Sequence, residues 1–177
     1  MQNEESLIRR AQQRDQEALT QMYEENFDRI YRYIVFKIGE RTEAEDMTQQ
    51  VFLSALKSIS SFKYKGISLS AWLFRIAHNQ IVDYFRKKAK RVTVPLGESL
   101  ASSDGDPSLA AEKNLDIEHL VSATKGLTRA QQEVISLRFA GELSIAQVAK
   151  VVGRSEGAVK ALQHSAILSL RKALSAG

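Results

Sequence analysis

Apolar residues along this chain recur at intervals of three and four, and β-branched alternation is rare. That period matches the 3.6-residue turn of an α-helix, so nearly the whole chain reads as amphipathic helix. Helices are predicted near 4–13, 16–38, 43–59, 70–88, 108–124, 129–139, 145–151 and 156–173. The ends carry their own signals. Thr42 with Glu45, Thr128 with Gln131 and Ser144 with Gln147 fit the capping box, in which the cap side chain and the third residue satisfy each other's orphan amides. Asp106 before Pro107 fits an N-cap and a first-turn proline. Gly39, Gly126, Gly141 and Gly153 stand where helices should stop. The expected fold class is all-α.

The helical period lapses in "VTVPLGESLASSDGDPS", Val92 to Ser108, which holds both prolines, Pro95 and Pro107. This stretch predicts a linker over 92–107, between a first domain at 1–91 and a second at 108–177. Twelve of the thirteen aromatic residues lie before residue 86, leaving Phe139 in the second block, so the two blocks are expected to have differently built cores. Charge follows the same division. The chain is net +4, with residues 1–91 at +4, residues 92–126 at −4 and residues 127–177 at +4. Two basic ends around an acidic middle fit two modules that both approach a polyanion.

Other features narrow the chemistry. The chain has no cysteine, which excludes disulfides, thiolate zinc sites, iron–sulfur clusters and a cysteine nucleophile. The opening "MQNEESLIRR" is polar, without a signal-peptide core, and no apolar run reaches transmembrane length. A cytoplasmic protein with no membrane insertion of its own is expected. His78, His119 and His164 share no ligand spacing, and neither a phosphate loop nor a nucleophile motif is present. No catalytic residue, metal or cofactor is therefore expected, and the histidines read as surface or interface residues.

In the second block, "SIAQVAKVVGRSEGAVKALQ" (Ser144 to Gln163) reads as helix, tight turn, helix. Ala149 is small where two helices would touch, Gly153 suits a turn with positive φ, and Val159 suits the seat of the second helix on the first. Ile145, Val148, Val152 and Leu162 fill the remaining core positions, and Ser155 caps the second helix. Val159, Leu162, Ala166 and Leu170 then face inward. The opposite stripe of Glu156, Lys160, Ala161, His164 and Ser165, with Arg154 and Ser155 in the turn, is the candidate surface for the major groove. A helical hairpin with no DNA role shares this pattern.

The first block offers two segments. "TEAEDMTQQVFLSAL" is amphipathic, with Val51, Leu53, Ala55 and Leu56 expected inward. Glu43, Glu45 and Asp46 load its first turn, where the helix dipole favours carboxylates. The polar face including Gln49 and Gln50 could equally dock another protein. In "SSFKYKGISLSAWLFRIAHNQIVDYFRKKAKR" aromatics alternate with cations: Phe62, Lys63, Tyr64, Lys65, then Trp72, Phe74, Arg75, then Tyr84, Phe85, Arg86, Lys87, Lys88. Rings stack on unpaired bases while cations track phosphates, at roughly 1–3 kcal/mol per stacked base. Leu73, Ile76, Ala77 and Tyr84 look inward, and Arg75, Asn79, Asp83 and Arg86 outward.

Together these parts resemble a family. "AEDMTQQVFLSAL", "SLSAWLFRIAHNQIVDYFRKKAKR" and "LTRAQQEVISLRFAGELSIAQVAKVVGRSEGAVKALQHSAILSLRKAL" are similar to regions 2.2, 2.3–2.4 and 4 of bacterial extracytoplasmic-function sigma factors, and "FDRIYRYIVFKIG" to region 2.1. The resemblance implies a subunit that binds core RNA polymerase, directs it to promoters and assists melting. It implies that Asp46, Gln49 and Phe52, with neighbouring Gln50, meet the polymerase, with Gln49 toward the clamp helices of the beta-prime subunit. It also implies that the loop Ser60–Ser70, Trp72, Asn79, Asp83 and Arg86 hold the −10 element as single-stranded bases, and that the second helix of the motif reads the −35 duplex. An anti-sigma factor is the implied regulator. The chain departs from the family pattern at Leu162, Ser165 and Ile167, where arginine is common, and at Gln50, where glutamate is common. Two other classes share parts of this pattern: a helix-turn-helix regulator with a sensing or dimerising first block, and a recombinase or nuclease, which would need a nucleophile or carboxylate cluster.

Overall fold

A computed structural model describes residues 2–64, 66–93, 119 and 122–176. These are helical throughout, with no strand among them, so the fold is all-α. The first block contains α1 (Gln2–Gln12), α2 (Gln16–Ile38), α3 (Arg41–Ser58) with a 3₁₀ turn at Ile59–Ser61, and α4 (Leu69–Thr93). The second contains α5 (Arg129–Ile135), which continues through a π turn at Ser136–Ala140, then α6 (Ile145–Val152) and α7 (Glu156–Ala176). The linker expected at 92–107, the cap at Asp106 and most of the helix expected at 108–124 lie outside the described residues, although α4 runs on to Thr93.

Local signals explain most boundaries. Asp15 caps α2 by accepting from the Glu17 amide, and Gly39 ends it in the left-handed region at φ 74°. The boxes Thr128–Gln131 and Ser144–Gln147 are both formed, each with its two reciprocal hydrogen bonds. The box expected at Thr42–Glu45 is not the start of α3. Gly39 turns the chain so sharply that Glu40 lies extended beside the first turn, and its carboxylate accepts from the Glu43 amide at 3.2 Å.

The buried stripe of α3 is Ala44, Thr48, Val51, Phe52 and Ala55. Leu53, expected inward, is 48% exposed, because it stands two residues from both Val51 and Ala55 and so projects from the opposite side of the helix. In α4 most of the expected division holds: Leu73 and Ala77 are buried, Ile76 and Tyr84 are half-buried, and Arg75, Asn79, Asp83 and Arg86 are exposed.

The two blocks do not keep separate cores. Ile30, Tyr33, Ile34, Phe74 and Ile81 of the first belong to one continuous apolar cluster with Val134, Leu137, Leu143, Val148 and Val159 of the second. Fully burying side chains of this size contributes about 1.5–3 kcal/mol each, so the junction is a genuine packed interface. Gly141 sits at its closest point. Its φ of −83° suits any residue, but a Cβ there would lie 2.7 Å from the Phe74 ring and 2.8 Å from the Leu137 carbonyl oxygen. Glycine is needed for close approach at this position, not for turning.

Candidate nucleic-acid and protein interfaces

The helix-turn-helix is built as its spacing requires. Gly153 takes φ 71° in the turn, its amide donating to the Ala149 carbonyl, and Ser155 Oγ accepts from the Ala158 amide. Val159 and Ala166 are fully buried, with Leu162 packed beside them. The outer stripe of α7 leaves Glu156, Lys160, Ala161 and His164 exposed, along with Arg154 and Ser155 in the turn. Ser165 departs from this surface. It is half-buried, its hydroxyl donating to the Leu162 carbonyl and accepting from Gln131 at 2.9 Å, so it ties α7 to α5.

In α3, Asp46, Gln49 and Gln50 are exposed on one face, and the Gln49 amide donates to the Tyr23 hydroxyl at 3.2 Å. Phe52 does not share that face. It is 4% exposed and packs against the rings of Tyr23, at 4.9 Å, and Phe27, at 6.1 Å. Bulk and period drive it into the core, beneath the polar face of Asp46, Gln49 and Gln50. Leu53, four residues on from Gln49, is the exposed apolar residue on that face.

The aromatic segment divides in the same way. Lys63, Tyr64, Arg75, Asn79, Asp83, Arg86 and Lys87 are exposed, and Trp72 is half-buried. Phe62 is buried and packs on Trp72 with ring centroids 4.7 Å apart, so it supports that ring instead of offering its own. Phe74 is fully buried against Tyr33. Lys65 lies outside the described residues. Asp83 and Arg86 are 3.5 Å apart and well exposed, a pair too solvated to hold either side chain in place. The Tyr84 hydroxyl donates to Glu43 at 2.7 Å. Burial, and then that carboxylate, push the phenol up to about 12, so it remains a donor.

The loop before α4 is braced by residues no local pattern marks. Glu4 on α1 accepts from the Leu69 amide at 2.7 Å and from the Tyr64 hydroxyl at 3.3 Å, and its charge raises the Tyr64 pKa. Gln12 donates to the carbonyls of Ile59 and Phe62. These contacts span some fifty or more residues of sequence, which is why periodicity could not reveal them.

The second block lies on this same face. Arg75 donates to the Lys150 carbonyl at 2.7 Å, and Gln147 of α6 donates to Ser68 at 3.0 Å. Arg29 donates to the Gly141 carbonyl at 3.0 Å, and Arg32 pairs with Glu142. The Glu133 carboxylate is only 12% exposed. It accepts from Tyr33 at 2.5 Å and Lys37 at 2.6 Å, and lies 2.8 Å from His78 Nδ1. Burial pushes its pKa up, but the His78 hydrogen bond, the Lys37 charge and hydrogen bond, and the Tyr33 hydroxyl outweigh burial and bring it to about 2. A groove of about 740 Å³ runs along the junction, and Arg86 and Arg154, candidate contacts from different blocks, both line it.

A helical block with an exposed polar face on α3, followed by a helix-turn-helix, is the layout of a two-module DNA-binding protein. Family models match both modules, sigma-70 region 2 over residues 22–91 and sigma-70 region 4 over residues 124–172. The chain belongs to the sigma-70 family of RNA polymerase sigma factors, and relatives it matches are sigma factors of the extracytoplasmic-function class. It is 37% identical over 170 residues to the extracytoplasmic-function sigma factor BldN of Streptomyces coelicolor, covering 95% of this chain and 64% of that one. It is 27% identical over 163 residues to SigX of Bacillus subtilis, covering 89% and 84%. Among solved structures, it superposes on CnrH in complex with the cytosolic domain of CnrY with a TM-score of 0.72 at 25% identity, covering 98% and 97% of the two chains. The sigma factor RpoE of Bartonella quintana, in complex with the anti-sigma factor NepR, gives 0.71 at 25% identity, covering 88% and 96%. No helix among the described residues is long and apolar enough to cross a membrane.

Proposed function

We propose that this chain binds core RNA polymerase, directs it to a particular set of promoters and assists their melting, as a binding subunit with no catalytic residues of its own. The observation that carries this reading is the pairing, in order on one chain, of a region 2 module and a region 4 module. In this reading Asp46, Gln49, Gln50 and Leu53 of α3 meet the beta-prime clamp helices. Lys63, Tyr64, Trp72, Arg75, Asn79, Asp83, Arg86 and Lys87 hold the opened −10 strand, with Phe62 buttressing Trp72. Arg154, Ser155, Glu156, Lys160, Ala161 and His164 address the −35 duplex, where α7 enters the major groove. Phosphate contacts by the cations position the module, and the short polar side chains between them face base edges.

CnrH and RpoE were each solved bound to a protein partner, which supports an anti-sigma factor as the regulator of this chain too. The work of the protein is then done wherever polymerase and chromosome are, in the cytoplasm. Run-off transcription with purified core polymerase on a genomic promoter library tests the function. New starts that share a common upstream motif only when the chain is added are expected. Duplex binding by the chain alone, without new starts, would instead make it a conventional helix-turn-helix regulator.

A further inference from the structure

We infer that Glu133 is a latch which holds the second module closed over the strand-capture face of the first, so that the chain restrains itself until the latch is released. This inference rests on the proposed function, because covering α4 matters only to a protein that must present it to DNA.

Three observations converge on the junction. Glu133 projects from α5, and its partners all come from the other module: Tyr33 and Lys37 from α2, His78 from α4. The Lys37 and Glu133 side chains are 10% and 12% exposed, so the pair exists in this form only while the modules touch. Next, the contacts beside it engage the surface assigned to the −10 strand. The Arg75 guanidinium is held by the Lys150 carbonyl, and Ser68, in the loop before α4, is held by Gln147. A strand lying along α4 must displace α6 from both. Finally, the turn at Gly141 seats directly on the Phe74 ring, an approach a Cβ would block.

The physics suits a reversible catch. An ion pair that loses its hydration on closing leaves a net gain of only a few kcal/mol, so an open form in which both groups are solvated stays within reach of binding energy. Removing one partner is different, because the other is then left buried and unpaired. A single substitution at the node therefore shifts the balance strongly toward opening. Binding energy from polymerase or promoter, acting on the exposed faces of α3 and α7, can tip the same balance.

The absence of cysteine permits a direct test on the full chain. Cysteines introduced at Glu25 and Lys172, both exposed and outside the proposed contact surfaces, take spin labels for distance measurement by pulsed electron resonance. The starting protein should give a single dominant distance. Glu133→Gln and Lys37→Met should each add a longer population, raising the open-to-closed ratio at least about tenfold, equivalent to about 1.4 kcal/mol. In run-off transcription without any other regulator, both variants should exceed the parent at limiting concentration and match it at saturation. An unchanged distance distribution in both variants overturns the latch, whatever the transcription result. Shifted distances with no transcript from any form support the latch and reject the promoter reading instead.

Discussion

Acid should weaken this protein through Glu133 in a way that one substitution removes. The carboxyl has an ordinary value of 4.5 and is held at about 2 in the folded chain, where the donors of His78, Lys37 and Tyr33 outweigh burial. A folded value below the unfolded one means the charged form is favoured by folding. The contribution is complete above pH about 4.5 and is lost as pH falls toward 2. The separation corresponds to about 3 kcal/mol, of which about 2 kcal/mol is gone by pH 3. Tyr33 remains a donor across this range, because burial and the Glu133 charge push its phenol well above 10. The assay is urea unfolding at pH 7, 5 and 3, followed by Trp72 fluorescence, on the parent and on Glu133→Gln. Other carboxyls titrate alike in both proteins and cancel in the difference. The parent should lose about 2 kcal/mol more than the variant between pH 5 and pH 3. Equal losses would refute the reasoning, since the carboxylate would then be no better held in the fold than in the unfolded chain.

Three further outcomes follow from named contacts. Phe74→Ala removes a fully buried ring from the junction of the modules and should cost about 3–5 kcal/mol in urea unfolding. Leu53→Asp changes an exposed residue, so stability should move by no more than about 0.5 kcal/mol while affinity for core polymerase falls in a pull-down titration. Phe52→Ala should show the reverse emphasis, with unfolding as its first effect. Lys160→Ala and Arg86→Ala should each lower promoter-dependent transcription, and loss of one phosphate contact should reduce the salt slope of promoter binding by about one.

Much of the site could be read from local pattern, and the parts that could not share one cause. The helix-turn-helix was legible because Ala149, Gly153, Ser155 and Val159 each answer a demand made within a few residues: small contact, positive φ, cap, seat. The same holds for the boxes at Thr128 and Ser144. Phe52, Phe62 and Ser165 sit in sequence among exposed neighbours, and residue type and spacing do not report which side of a helix finds a partner. Phe52 met Tyr23 and Phe27, Phe62 met Trp72, and Ser165 met Gln131. Glu4 and Gln12, which brace the loop before α4, carry no local mark at all.

The sequence by itself determined the described helices, most of their caps and the order of the two modules, because 3.6-residue periodicity and capping act over one or two turns. It also determined the outward cations of α4 and, Ser165 apart, the polar stripe of α7, since period sorts those faces. Only the tertiary structure decided that the modules share one core and that Gly141 is required by the Phe74 ring. It alone brought Glu133 to Tyr33, Lys37 and His78, across separations of 100, 96 and 55 residues. Contacts between elements so far apart depend on how helices pack, and packing is settled by the shapes of two surfaces at once, which no single stretch of chain encodes.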